Sequence, residues 1–261
     1  MENIKLNEIL KIATRKETFY NKSKLGYSFS SMMAGAYCSF GMILAFTVSG
    51  QLSANEYTAG FASIMFGVSF AMALTLITFA GAELFTGNIL SLSMSTMAKN
   101  TKLINTVKLL FVCYISNFIG AAIISIIIGG TGLLNNEIVG KYVVMKTEMK
   151  MSLSFMQAFT RGILCNALIC VAVWCNTVMK SEVAKMVIIF WCIYSFCASG
   201  YEHSIANMGL FVMAKTSIYA TDAINIQGAL NNIIPVTLGN IVGGAVVVGF
   251  IYYIIAKEQE K

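Results

Sequence analysis

Charge is what this sequence has least of. Only 11% of its 261 residues are Asp, Glu, Lys or Arg, where a soluble domain carries about a quarter. With 57% hydrophobic residues and a mean hydropathy of +0.74, the chain has apolar runs that exceed the ~20 residues needed to cross a bilayer. An ordinary water-soluble fold is excluded, and the chain reads as an all-α polytopic membrane protein. Histidine is nearly absent: His203 stands alone, so no histidine cluster can form. The seven cysteines include no Cys-x-x-Cys pair, which argues against zinc or haem. They are expected as small buried hydrophobes in a reducing cell, with no metal and no cofactor. The net charge of +6 follows the membrane topology and carries no nucleic-acid signal. Residues 1–27 are polar and basic, and the first apolar run is too long for a cleavable leader.

What is present is a set of six apolar segments, near 29–49, 58–98, 105–130, 153–178, 183–214 and 234–256. The second and fifth exceed one crossing and are interrupted by polar residues, as broken helices are where they face protein or a water-lined cavity. Six crossings put both termini on one side. That side carries 13 Lys/Arg, and the other carries Lys141, Lys146, Lys150 and Lys215. The positive-inside rule then predicts cytoplasmic termini in the cell (inner or plasma) membrane. Within residues 4–13, Leu6, Ile9, Leu10 and Ala13 share a helical face, as in an amphipathic helix on the inner surface or under the bundle. The expected organisation is a cytoplasmic amphipathic segment (1–27), one channel domain (28–256) and a cytoplasmic tail (257–261).

The interruptions are paired. "GAELFTGN" (81–88) aligns with "GYEHSIAN" (200–207), sharing Gly, then Glu two residues later and Asn five after that. "NFIGAA" (117–122) aligns likewise with "NIVGGA" (240–245). Two related halves, about 28–130 and 153–256, with three crossings each, must have opposite orientations. Inverted repeats with a broken helix apiece indicate a pathway at the bilayer midplane.

These two break motifs, with "RGILCNALICVAVW" (161–174) and "NNIIPVTLGNIVGGA" (231–245), resemble the formate/nitrite transporter family in the right order along the chain. The resemblance implies an aquaporin-like six-helix protomer with a 3+3 inverted repeat and broken second and fifth helices. It also implies a homopentamer with one pore per subunit, passing small monovalent anions. In the enterobacterial formate channels the Phe-Thr pair is followed by Ser-Thr. Here Phe85-Thr86 is followed by Gly87-Asn88, and the chain looks most like the clostridial hydrosulfide channels. Hydrosulfide is therefore the expected main substrate, with formate and nitrite as further ones.

A buried ionisable group beside a helix break is a functional candidate, and His203 is one. Its bland alternative is a histidine hydrogen-bonded in the bundle with no part in transport. The resemblance makes it a central gatekeeper that could protonate the anion. Thr86 supplies a hydroxyl that adapts to the substrate's protonation state, and Asn166 is expected to orient the network. Lys150, sixteen residues before Asn166, has the spacing of the family's vestibule lysine and is expected to concentrate anions at the external mouth. Lys146 lies only four residues away, so an ordinary surface lysine is the competing description. Glu83 and Glu202 are expected to be structural, accepting from backbone N–H groups freed by the breaks, with Gly81, Gly87 and Gly200 permitting irregular backbone. By resemblance, Phe70 and Phe196 form an outer constriction, and Leu74 and Phe85 an inner one. Arg161 is expected to snorkel outward or to pair at a subunit contact. Gly239 and Gly243 suit close helix packing.

Three rivals remain. A neutral-solute pore lacks the paired Asn-Pro-Ala breaks, since Pro235 is the only proline. An intramembrane hydrolase would have to build a nucleophile and base from Ser199 and His203 on one interrupted segment. A membrane scaffold without flux leaves the paired breaks unexplained. The chain is expected to be a transporter rather than an enzyme.

Overall fold

A computed structural model describes residues 2–259; Met1 of the expected N-terminal segment and residues 260–261 of the expected tail lie outside them. The helices are α1 (Glu2–Lys22), α2 (Lys24–Ser53), α3 (Ala62–Phe79), α4 (Phe85–Met97), α5 (Leu103–Gly130), α6 (Glu137–Met151), α7 (Phe155–Asn176), α8 (Glu182–Ala198), α9 (Ser204–Lys215), α10 (Ile226–Val242) and α11 (Ile251–Glu258). A π-helical stretch, Gly243–Phe250, joins α10 to α11. No strand occurs among the described residues.

Five helical runs are long and apolar enough to cross a membrane: α2, Ala59–Phe79, α5, α7 and Ile226–Glu258. The remaining crossing is shared by α8 and α9, of 17 and 12 residues, neither long enough alone. Likewise α4 continues the crossing that α3 begins. The result is a six-span protomer whose second and fifth spans are broken, at residues 80–84 and 199–203.

Both breaks start with the same physical device. Ala82 N–H reaches back to Ile77 C=O and Tyr201 N–H to Phe196 C=O, each at 2.9 Å. This closes α3 and α8 with a Schellman-type cap, and Gly81 and Gly200 supply the left-handed residue, both at φ +72°. Gly87 differs from expectation. The helix restarts at Phe85, so Gly87 sits in a regular first turn, where a Cβ would meet only Val173 at 3.7 Å.

Two helices lie outside the six spans, one leading each repeat. The N-terminal helix runs through residues 2–22, beyond the expected 4–13. Its Leu6 and Ile9 are buried with Leu90, Met94, Trp174, Val248 and Ala256, which docks α1 under the bundle. The other, α6, was not foreseen, because five charged residues between 137 and 150 leave no apolar run. It starts on an Asn136 cap, whose side chain accepts from Val139 N–H.

The spans approach closely at repeat-related glycines. A Cβ on Gly120 of α5 would strike the Met32 carbonyl of α2, and one on Gly243 would strike the Ile163 carbonyl of α7. Gly239 likewise faces the backbone of Phe159, so the Gly239/Gly243 pair packs within the protomer. Away from these contacts α5 exposes Phe111, Ile115, Ile119, Ile123 and Ile126. Such an apolar exterior suits hydrocarbon surroundings.

Candidate functional site

After each cap the chain crosses the protein interior outside helical pairing: Glu83 N–H reaches Ser30 C=O and Glu202 N–H reaches Arg161 C=O, and one buried asparagine per repeat satisfies further backbone groups. Asn117 accepts from Phe85 N–H at 2.9 Å and donates to the carbonyls of Ser31 (2.6 Å) and Glu83 (2.9 Å). Asn240 accepts from Ser204 N–H at 3.0 Å and donates to Gly162 (2.9 Å) and Glu202 (3.0 Å). These asparagines, not the glutamates, hold the freed backbone.

The carboxylates instead pair with lysines from the leading helices. Glu83 Oε2 lies 2.5 Å from Lys16 Nζ of α1 and accepts from Asn88 at 2.8 Å. Glu202 Oε1 lies 2.8 Å from Lys150 Nζ of α6, and its Oε2 accepts from Asn207 at 2.5 Å. Each charge is thereby compensated within its own repeat, as a carboxylate in a low-dielectric interior requires. The same Lys–Glu pairing thus occurs in both halves, with its lysine on α1 in one and on α6 in the other.

The halves diverge where they touch. Leu84 and His203 occupy equivalent positions, as do Thr86 and Ile205. His203 is the N-cap of α9: its Nδ1 accepts from Ala206 N–H at 3.1 Å. That fixes the neutral tautomer, with the proton on Nε2, which lies 3.0 Å from Thr86 Oγ1 of the opposite repeat. The imidazole therefore donates to the hydroxyl, and the Thr86 hydrogen stays available to an incoming acceptor. An imidazolium would set an Nδ1–H against the Ala206 N–H and lose the cap. Because α4 and α9 both begin at the breaks, their N-terminal ends add positive potential there.

His203, Phe196 and Phe70 line one side of a cavity of about 330 Å³. The His203 and Phe196 rings stack with centroids 6.2 Å apart, and Phe196 meets Phe70 edge-on at 6.2 Å. Lys146, Lys150, Tyr201 and Asn207 also line the cavity, so α6 forms part of its wall. Together these features make a positively biased mouth, an apolar neck and two facing N–H or O–H donors below it.

The profile of the formate/nitrite transporter matches residues 6–254. The chain belongs to this family. The Nitrite transporter NirC of Salmonella typhimurium (strain LT2) is 33% identical over 98% of this chain and 93% of its own length. A solved structure described as an FNT family ion channel superposes with a TM-score of 0.89 at 32% identity, covering 96% of this chain and 98% of that one. A pentameric formate channel with formate bound gives 0.73 at 28% identity, over 87% and 97%. Family and fold are those of transport channels rather than enzymes, and this transporter is a multi-pass membrane protein.

The other expected residues of this transporter fall as follows. Asn166 does not join the Thr86–His203 pair: its Nδ2 donates to Asn240 C=O at 2.6 Å, and its Oδ1 has no partner among the described residues. It braces the last span instead. Leu74 and Phe85 are buried, and Phe85 packs edge-on against Tyr114 with centroids 4.8 Å apart. The Arg161 carbonyl accepts from Glu202 N–H at 3.4 Å. Ser199 is exposed while both His203 nitrogens are engaged elsewhere, so no nucleophile–base pair forms. Lys16, Asn117 and Asn240 were missed. The two asparagines stood in the aligned "NFIGAA" and "NIVGGA" pieces, the one signal that pointed to them.

Proposed function

We propose that this transporter conducts small monovalent anions of weak acids, with nitrite and formate as its main substrates and hydrosulfide a further one of the same chemistry. The observation that carries this is the contact between His203 and Thr86, which joins the two breaks below an aromatic neck. The α6 side is assigned to the outside, where Lys146 and Lys150 line the mouth, and both termini to the cytoplasm. Lys150 is held in the Glu202 pair and shapes this mouth.

An anion entering the cavity meets Phe70 and Phe196, whose rings replace none of its hydration. Losing that hydration costs several kcal/mol for an ion and far less for a neutral acid. The anion takes its proton from water in the cavity, and the hydroxide left behind returns to the solution on the entry side; a neutral imidazole that gave up its Nε2 proton would become an anion itself. His203 Nε2–H and Thr86 O–H hydrogen-bond the substrate as it passes. By this reading Leu74 and Phe85 form a second, inner constriction. Names of similar proteins carry nitrite and formate, and the pentameric formate channel supports a homopentamer here with one pore per protomer.

The test is initial uptake of labelled formate and nitrite, and of hydrosulfide by electrode, into proteoliposomes against protein-free vesicles. Protein-dependent uptake of monovalent anions, with larger dicarboxylates excluded, is expected. Glycerol flux without anion flux would instead indicate a neutral-solute pore.

A further inference from the structure

Two lysines line the cavity, and only one has a carboxylate. Tyr142, Lys146 and Lys150 stand at four-residue spacing on one face of α6, all three lining the cavity. Lys150 is paired with Glu202 at 2.8 Å, so together they add no net charge to the mouth. Lys146 makes no ion pair among the described residues. The acids of its own helix are engaged elsewhere: Glu137 with Lys141, and Glu148 with the Thr221 hydroxyl. Instead, the Lys146 ammonium sits 5.3 Å from the centroid of the Tyr142 ring. That ring is itself held edge-on against Phe46, centroids 6.0 Å apart.

We infer that Lys146, rather than Lys150, is the residue that gathers the anion at the mouth of the cavity, an inference that rests on the anion-channel function proposed above. A cation over an aromatic face is held in place without being neutralised, and its remaining N–H groups stay free to donate. The other half of the molecule shows that the position is not demanded by the repeat. Lys16 pairs with Glu83 as Lys150 does with Glu202, but four residues before Lys16 stands Ile12. One lysine per half serves the break; Lys146 is additional, and it is the one whose charge an entering anion meets uncompensated. Lys150 is left as a positioning residue that keeps Glu202 from repelling the substrate.

The experiment is initial nitrite uptake into proteoliposomes against concentration, at ionic strengths of about 0.01 M and about 1 M, where screening lengths are about 30 Å and about 3 Å. At low salt Lys146→Gln should raise the half-saturating concentration roughly three- to fivefold, as a single screened unit charge does. Its maximal rate should fall by less than that, the defect should close at high salt, and Lys146→Arg should restore wild-type behaviour. Lys150→Gln should lower the maximal rate instead. Wild-type half-saturation in Lys146→Gln at both ionic strengths would overturn the inference, as would a salt-sensitive half-saturation defect confined to Lys150→Gln. Absence of any wild-type anion uptake would sink the channel function itself, whereas wild-type uptake with an indifferent Lys146 overturns this inference alone.

Discussion

Replacing Asn240 with alanine removes three buried hydrogen bonds at once, to Ser204 N–H, Gly162 C=O and Glu202 C=O. Asn240, Glu202 and Ser204 are all buried, at no more than 2% exposure. Hydrogen bonds inside membrane proteins average about 0.6 kcal/mol, and orphaned buried groups cost about 1–3 kcal/mol. Three lost bonds therefore amount to about 2 kcal/mol on the first figure, and three orphaned groups to about 3–9 kcal/mol on the second, so the folding equilibrium should fall by at least roughly 30-fold. The assay is thermal unfolding of the purified protein in detergent, read beside nitrite flux. Asn231→Ala is the control: that residue is exposed, and its bond to Gln227 lies on the surface. It should shift stability by no more than about 0.5 kcal/mol. Asn117→Ala, which breaks the matching trio in the other repeat, should resemble Asn240→Ala. If Asn240→Ala melted with the control and conducted normally, the role of the asparagines as braces of the breaks would be refuted.

Lys150→Met leaves Glu202, only 2% exposed, without its cation; pairing the change with Glu202→Gln should recover stability, because breaking a buried pair costs about 3–5 kcal/mol and removing both partners far less. A double mutant no more stable than Lys150→Met in the same melts would contradict this. Gly200→Ala meets nothing within 4 Å but holds φ +72°, so its cost should be purely conformational, about 1–2 kcal/mol, with Gly200→Asn milder in urea or thermal titrations. Thr86→Val removes the acceptor of His203 Nε2–H, and flux should fall with the fold intact by melting temperature; unchanged flux would show that the pair takes no part in conduction. His203→Asn keeps a side-chain acceptor for the cap, so transport should persist in part with its pH dependence retained, the proton coming from water; a flat pH profile would restore the histidine as proton donor.

The breaks were legible because polar residues interrupt runs that hydrocarbon would otherwise hold uniform. Gly81, Glu83 and Asn88 recur as Gly200, Glu202 and Asn207, a repeat visible in the sequence itself. The partners of those residues were not legible. Lys16 is one of six basic residues before position 28, and nothing in their order says which one turns inward. Asn117 and Asn240 lie mid-span, where an amide signals a buried contact but not which of several carbonyls it reaches. Gly87 was misplaced because glycine in a break motif looks conformational, whereas the helix had already restarted two residues earlier. The direction of the His203 bond depends on the extended backbone at that residue, φ −111° and ψ 116°, which aims Nδ1 at Ala206 N–H. No local pattern encodes that choice.

In the proposed function an anion passes Phe70, Phe196 and the Thr86–His203 pair as its neutral acid. Lumenal pH, followed with a trapped dye during a formate gradient across proteoliposomes, tests it most directly. One proton should enter with each formate, faster than in protein-free vesicles and independently of an imposed membrane potential. Protein-dependent formate entry that leaves lumenal pH unchanged and follows the potential would contradict it.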